Sequence, residues 1–138
     1  TGPGKNVLQP GELLAALELP RPAPRTADAY LRLIPRTEMD IAVVGAGVSL
    51  TLDASGTCTI ARVAIGAVAP TALRVPAAEA ALLGSKVDEA ALARAAQAAS
   101  AAAKPIDDKR GSAAYRKKVV GVLVRRAAAI AAERAKTR

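Results

Sequence analysis

The sequence predicts an α+β two-layer sandwich: a small antiparallel sheet of three to four strands packed against about three C-terminal helices. Three observations carry this. Alternation of period two dominates residues 29–67. A helical period replaces it after Pro70. The two patterns do not interleave, and strands followed by helices segregate into two layers. The chain has 138 residues, enough for one domain with a real core.

Residues 1–10 read as a loop, with Gly2, Pro3, Gly4 and Pro10. The T-G-P-G-K run is not a phosphate loop, because Asn6 follows the lysine where Ser or Thr is required. Residues 12–19 are apolar and end at Pro20, which suits a strand or a short turn leading into one. Residues 21–25 hold two prolines and two arginines and read as an extended linker. Residues 29–34 alternate: Tyr30, Arg32 and Ile34 point one way, Leu31 and Leu33 the other.

A long strand is expected over residues 42–52. Val44, Ala46, Val48, Leu50 and Leu52 form its core face; Val43, Gly45, Gly47, Ser49 and Thr51 form a smaller, partly polar face. Asp53-Ala54-Ser55-Gly56 has turn composition, with Gly56 suited to positive φ. A return strand over residues 57–67 carries two parities, Cys58 with Ile60 and Val63 with Ile65. A bulge near Ala61–Arg62, or partial cover on both faces, would reconcile them. This hairpin is the expected platform for the helices. Gly45-Ala46-Gly47 is not a dinucleotide motif. Leu50 stands where a third glycine belongs, and strand-like sequence follows instead of a helix. Glycines here suggest close approach of another backbone.

Pro76 opens a helix, Glu79 complements its N-terminal dipole, and Gly84 ends it. Asp88 caps a second helix reaching about Ala103, with Leu92, Ala95, Ala96, Ala99 and Ala103 on one face. Alanine favours helix but buries little area, so this helix must sit close to its neighbours. Residues 104–111 form a charged loop. Ser112 caps the last helix, about residues 113–136. Tyr115, Val119, Leu123, Ala127, Ile130 and Ala131 make its expected buried stripe, widened by Val120 and Val124. Arg116, Lys117, Arg125 and Glu133 are expected to project outward.

Composition removes several function classes. There is no histidine and a single cysteine, Cys58. That excludes an internal disulfide, a Cys/His metal cluster and a Ser-His-Asp triad. No nucleophile–base pair can be named, and Glu38, Asp40, Asp107 and Asp108 suit ion pairs in charged loops. The aromatics are Tyr30 and Tyr115 alone, few for stacking on bases. Net charge is +8 and uneven: residues 1–85 balance, while 86–138 hold thirteen basic and five acidic residues. Solvated helix faces account for this. The alternative is a nucleic-acid-binding module built on residues 109–138. No apolar run reaches membrane-span length and no secretory signal opens the chain, so cytoplasm is the expected compartment. The start at Thr1 in a Gly/Pro loop suggests a piece of something longer.

At Arg36-Thr37-Glu38-Met39-Asp40-Ile41-Ala42, followed by the glycine-containing hairpin, the chain resembles a known family. This is the C-terminal domain of the FAD-binding subunit of molybdenum hydroxylases, the group of xanthine dehydrogenase and aerobic carbon monoxide dehydrogenase. Leu8-Gln9-Pro10-Gly11-Glu12-Leu13-Leu14 resembles the lead into that domain, and Ala61 through Thr71 its second hairpin strand and exit. Glu79 with Leu82-Leu83-Gly84 resembles its first helix, and Asp108 through Arg116 the start of its last.

The resemblance implies one domain over 1–138: a linker at 1–10 from FAD-binding domains not in this sequence, a sheet over 11–68 and helices over 76–137. It implies FAD held mainly by those N-terminal domains of the same subunit, with partners bearing a molybdenum cofactor and iron–sulfur clusters. Electrons would pass from molybdenum through the clusters to FAD. It leaves this chain a wall of the flavin pocket, with Ile41 against the isoalloxazine ring and Asp40 and Arg36 shaping the loop. Some family members carry tyrosine at that position, so an aliphatic contact would replace a stacked one. No catalytic and no metal-binding residue is expected. An apolar, alanine-rich face is expected where the flavin domains belong. Tyr115 is expected in the core and Arg116 in an ion pair with Asp107 or Asp108. The plainer alternative for the loop makes Ile41 the first core residue of its strand and Arg36, Glu38 and Asp40 a solvated turn.

Overall fold

The computed structural model describes residues 2–37 and 40–138; Glu38 and Met39 of the loop motif lie outside the described residues. Four strands, β1 (Thr26–Leu33), β2 (Val44–Leu52), β3 (Cys58–Gly66) and β4 (Leu73–Arg74), precede three helices, α1 (Pro76–Leu82), α2 (Glu89–Ala102) and α3 (Ala113–Lys136). The sheet is antiparallel throughout, in the order β1-β2-β3-β4. Helix α3 lies on β1 and β2, α2 packs on α3, and α1 bridges α2 and β3. This is the α+β sandwich the sequence predicts.

β2 is the hub. Val44, Ala46, Val48, Leu50 and Leu52 are all buried, as their parity requires. Each fully buried Val, Leu or Ile contributes about 1.5–3 kcal/mol. The turn at residues 53–56 closes through Gly56 N–H on the Asp53 carbonyl at 3.0 Å, with Gly56 at φ 80°. Asp53 also accepts from the backbone of Ser55 and Thr57. The bulge lies earlier than its expected place at Ala61–Arg62. Thr51 pairs with Ile60 but Leu52 pairs with Cys58, so Thr59 is the extra residue. Cys58 therefore shares the core with Ala61, Val63 and Ile65, while Ile60 turns outward.

Residues 12–19 form no strand, so the sheet begins at Thr26 instead of residue 11. The close neighbour of Gly45 and Gly47 is a side chain and not a backbone. The Tyr30 ring lies across both, and a Cβ on Gly45 would stand 2.8 Å from its hydroxyl.

The helices show how an alanine core holds together. Asp88 and Ser112 cap α2 and α3 by accepting from Ala91 and Tyr115 N–H. Glu79 reaches beyond its own helix: its carboxylate accepts from Val63 N–H at 3.0 Å and from Arg74 at 2.6 Å. Gly121 lets α2 and α3 meet. A Cβ there would stand 2.9 Å from the Ala96 carbonyl oxygen. The buried stripe of α3 is offset from the expected one. It runs through Arg116, Val120, Leu123, Val124, Ala127, Ala128, Ala131, Ala132 and Ala135. Tyr115 and Ile130 are exposed and Val119 is half-buried. Tyr115 lies one position off the stripe that Arg116 and Val120 define, and its ring lies against Gly111 instead. Arg116 is the correction of most consequence, because it points in.

Candidate functional site

Three loops meet at the end of the sheet where β2 begins. They are residues 40–43 before β2, 67–70 after β3 and 104–108 after α2. Together they line a hollow of about 420 Å³ whose wall includes Ile41, Ala42, Ala67, Pro70, Pro105 and Ile106. Pro3 of the leading arm lies at its rim. Lys104 N–H donates to the Val68 carbonyl at 2.7 Å and ties two of the loops together. Ala67 holds φ at 61°, a left-handed conformation that L-residues pay about 1–2 kcal/mol to adopt.

Arg116 fixes this end of the molecule. It is buried (4% exposed) and its guanidinium donates to Val43 O at 2.8 Å, Gly111 O at 3.3 Å and Asp108 Oδ1 at 2.6 Å. The fork geometry of arginine suits three acceptors at once. Asp108 also accepts from Arg110 N–H at 2.8 Å. That bond first, and the Arg116 guanidinium second, hold its carboxyl below the ordinary 3.8. Of the two expected partners, Asp108 is the one in the ion pair. Asp107 instead accepts from Ala113 N–H at 2.6 Å, at the start of α3.

The three site residues named from the sequence lie together. The Asp40 side chain is 4% exposed. It accepts from Arg36 N–H at 3.0 Å and its own neighbour Ile41 N–H at 2.9 Å, with the Arg36 guanidinium at 3.5 Å and Arg110 at 3.9 Å. It is thus the organiser of the loop and not part of a solvated turn. Arg36 is largely in solvent and braces the loop from outside. Ile41 is 66% exposed, so it is not the first core residue of β2. Its amide is pinned by Asp40 and the carbonyl of Val43, two residues on, by Arg116, which presents the side chain at the mouth of the hollow.

Ile106, Ala67 and Pro105 complete that wall and were not singled out from sequence. They come from two other loops, Ala67 from the one after β3 and Pro105 and Ile106 from the one after α2, and only tertiary folding brings them to Ile41. The hollow is lined mainly by apolar side chains, with Lys104, Asp108 and Arg116 also on its wall. It offers no grip for a pyrophosphate: Gly45 and Gly47 lie inside β2, and no glycine-rich loop meets a helix N-terminus among the described residues.

Elsewhere, part of the basic surface is engaged within the chain. Arg125 pairs with Glu89 at 2.7 Å, Lys136 with Glu133 at 2.5 Å, and Arg134 donates to the Asp28 carbonyl at 2.7 Å. The most exposed large apolar side chains are leucines of the arm, with Ile41 and Ile106 at the hollow. Among the described residues no group of His, Cys, Asp or Glu could hold a metal, and no helix is long and apolar enough to cross a membrane.

Comparison with known proteins identifies the family. The profile of the CO dehydrogenase flavoprotein C-terminal domain matches residues 29–131. The carbon monoxide dehydrogenase medium chain of Afipia carboxidovorans is 40% identical over 129 residues, covering 94% of this chain and 44% of that protein. The xanthine dehydrogenase FAD-binding subunit of Escherichia coli O157:H7 is 36% identical over 80 residues, 57% of this chain and 27% of that protein. Among solved structures, reconstituted CO dehydrogenase from Oligotropha carboxidovorans superposes with a TM-score of 0.89 at 36% identity, covering 97% of this chain and 46% of that one. The chain spans less than half the length of each of these relatives. Fold, loop motif and sequence identity converge: the chain belongs to the CO dehydrogenase flavoprotein C-terminal domain family.

Proposed function

We propose that this chain is the C-terminal scaffold and flavin-wall domain of the FAD-binding subunit of a molybdenum hydroxylase. One observation carries the reading: an exposed isoleucine, Ile41, is held at an apolar hollow by two buried charged side chains, Asp40 and Arg116. An exposed aliphatic side chain on so firmly pinned a loop suits contact with something apolar supplied from outside the chain. The relatives named for FAD and for CO dehydrogenase make an isoalloxazine edge the natural occupant.

FAD, when bound in such a subunit, would supply the redox chemistry, as the acceptor of electrons from molybdenum by way of iron–sulfur clusters. This chain's part is passive and specific. Ile41, with Ile106 beside it, excludes water from one edge of the ring and lowers the local dielectric, which shifts redox balance. Asp40 sets the direction of Ile41 through its amide, and Arg36 braces Asp40. The pyrophosphate grip belongs to N-terminal domains of the same subunit. The molybdenum-cofactor and iron–sulfur subunits are the partners of the assembled enzyme. The chain alone is then without turnover and binds FAD poorly.

The test is Ile41→Lys in the FAD-containing subunit. The flavin midpoint potential is expected to shift by tens of millivolts, while the melting temperature of this chain alone stays unchanged by the same substitution, because the side chain is outside its core. An unaltered potential would remove Ile41 from the flavin environment.

A further inference from the structure

Lys104 stands apart from the other charged groups at the hollow. Asp108 and Arg116 are paired with each other at 2.6 Å, and Asp40 is shared between Arg36 and Arg110. Among the described residues the Lys104 side chain makes no ion pair, yet it lines the same wall as Ile41 and Ile106. Its backbone is firmly set. Ala103 ends α2 and is buried, Lys104 N–H donates to the Val68 carbonyl at 2.7 Å, and Pro105 keeps the residue before it extended. An ordered loop thus carries a cation to one fixed place. A lysine stem covers apolar wall while its ammonium stays in water.

Cover over the hollow changes that balance. Whatever shuts water away from Ile41 and Ile106 also strips water from Lys104. A cation that loses its water without gaining an opposite charge is strongly destabilising. Among the described residues, the one acidic side chain on this wall is Asp108, and it is already held by Arg116 and the Arg110 amide. With the loop braces included, four basic side chains (Arg36, Lys104, Arg110 and Arg116) stand against two acidic ones, Asp40 and Asp108. An occupant that fits such a place is apolar in body and brings negative charge to its edge.

An isoalloxazine ring meets both conditions once reduced. Two electrons and one proton leave it one negative charge, spread over its pyrimidine edge. The electrons come by way of the iron–sulfur clusters of the proposed assembly. We propose that Lys104 is the counter-charge of the reduced flavin, placed to favour the reduced ring over the oxidised one. This rests on the flavin-wall function proposed above and adds the charge that tunes it. Ile41 and Ile106 exclude water, and the lower dielectric strengthens the attraction that Lys104 exerts.

Redox titration of the FAD-containing subunit tests it, with FAD content measured in the same samples. Lys104→Gln is expected to move the reduced-to-oxidised ratio at a fixed potential about tenfold towards oxidised, which for a two-electron couple lowers the midpoint by about 30 mV. Lys104→Arg keeps the charge and should stay within about twofold of wild type. The dissociation constant of oxidised FAD should change by less than about twofold in either variant, because the oxidised ring carries no net charge for Lys104 to meet. Neither substitution should change the melting temperature of the chain alone, because the side chain is exposed. An unshifted potential in Lys104→Gln, where Ile41→Lys does shift it, would overturn the counter-charge and leave the flavin wall standing. Unshifted potentials in both variants would overturn the two readings together. Equal shifts in Lys104→Gln and Lys104→Arg would also sink the proposal, since charge would then not be the agent. So would a loss of affinity shared by oxidised and reduced FAD, which would mark Lys104 as an anchor for the phosphates instead.

Discussion

Arg116 Nη1 lies 2.8 Å from the carbonyl oxygen of Val43, across 73 residues of sequence. This bond joins the first turn of α3 to the start of β2. The same guanidinium holds Asp108, so one buried side chain fixes two of the three loops around the hollow.

Arg116→Met should therefore be costly. It leaves the Val43 carbonyl without its buried partner and Asp108 without its ion pair, a loss of roughly 2–3 kcal/mol. Arg116→Lys should recover little of it, because an ammonium cannot serve three separated acceptors in fork geometry. Urea denaturation of the three proteins checks the order: wild type first, then Lys close to Met.

Stability should fall in acid and not near neutrality. Glu79 lies below its ordinary 4.5, chiefly through the Arg74 hydrogen bond. Asp108 lies below 3.8, chiefly through the Arg110 amide and then Arg116. Asp53 is lowered as well, first by the Ser55 hydroxyl. In each case the unfolded chain takes up its proton at higher pH than the folded one. The stabilisation is complete above the unfolded values and drains away as pH falls through the folded ones. With no histidine in the chain, urea midpoints should stay flat from pH 7 to about 5 and drop below about 4. A Glu79→Gln/Asp108→Asn variant should show a lower plateau and a shallower acid limb.

Gly121→Val should separate the two long helices. The Ser100 hydroxyl can rotate away from a new side chain, but the Ala96 carbonyl belongs to the backbone of α2 and cannot. Overpacking of this kind costs roughly 1–3 kcal/mol. Thermal melts should show the loss although valine is the better helix former of the two.

Much of this fold was legible in the sequence because its signals are local. The period-two face of β2, the Asp88 and Ser112 caps, Pro76 and Gly56 each act within a few residues, and each is where the pattern puts it. The errors fall where a distant element decides. The bulge moved to Thr59 because the pairing of Leu52 with Cys58 sets the register. Arg116 was expected outside because helical periodicity cannot show that Val43 and Asp108 wait beneath it. Residues 12–19 carry a strand's alternation and no strand, since a strand needs a neighbour to bond. The loop residues Arg36, Asp40 and Ile41 were found through family resemblance, but their neighbours Ile106 and Ala67 gave no signal short of the fold itself.

The most direct measurement is the distance from the Ile41 side chain to the isoalloxazine ring in a structure of the FAD-containing subunit. The account predicts van der Waals contact, within about 4–4.5 Å. A ring seated elsewhere, with Ile41 still in solvent or buried under protein alone, would contradict it.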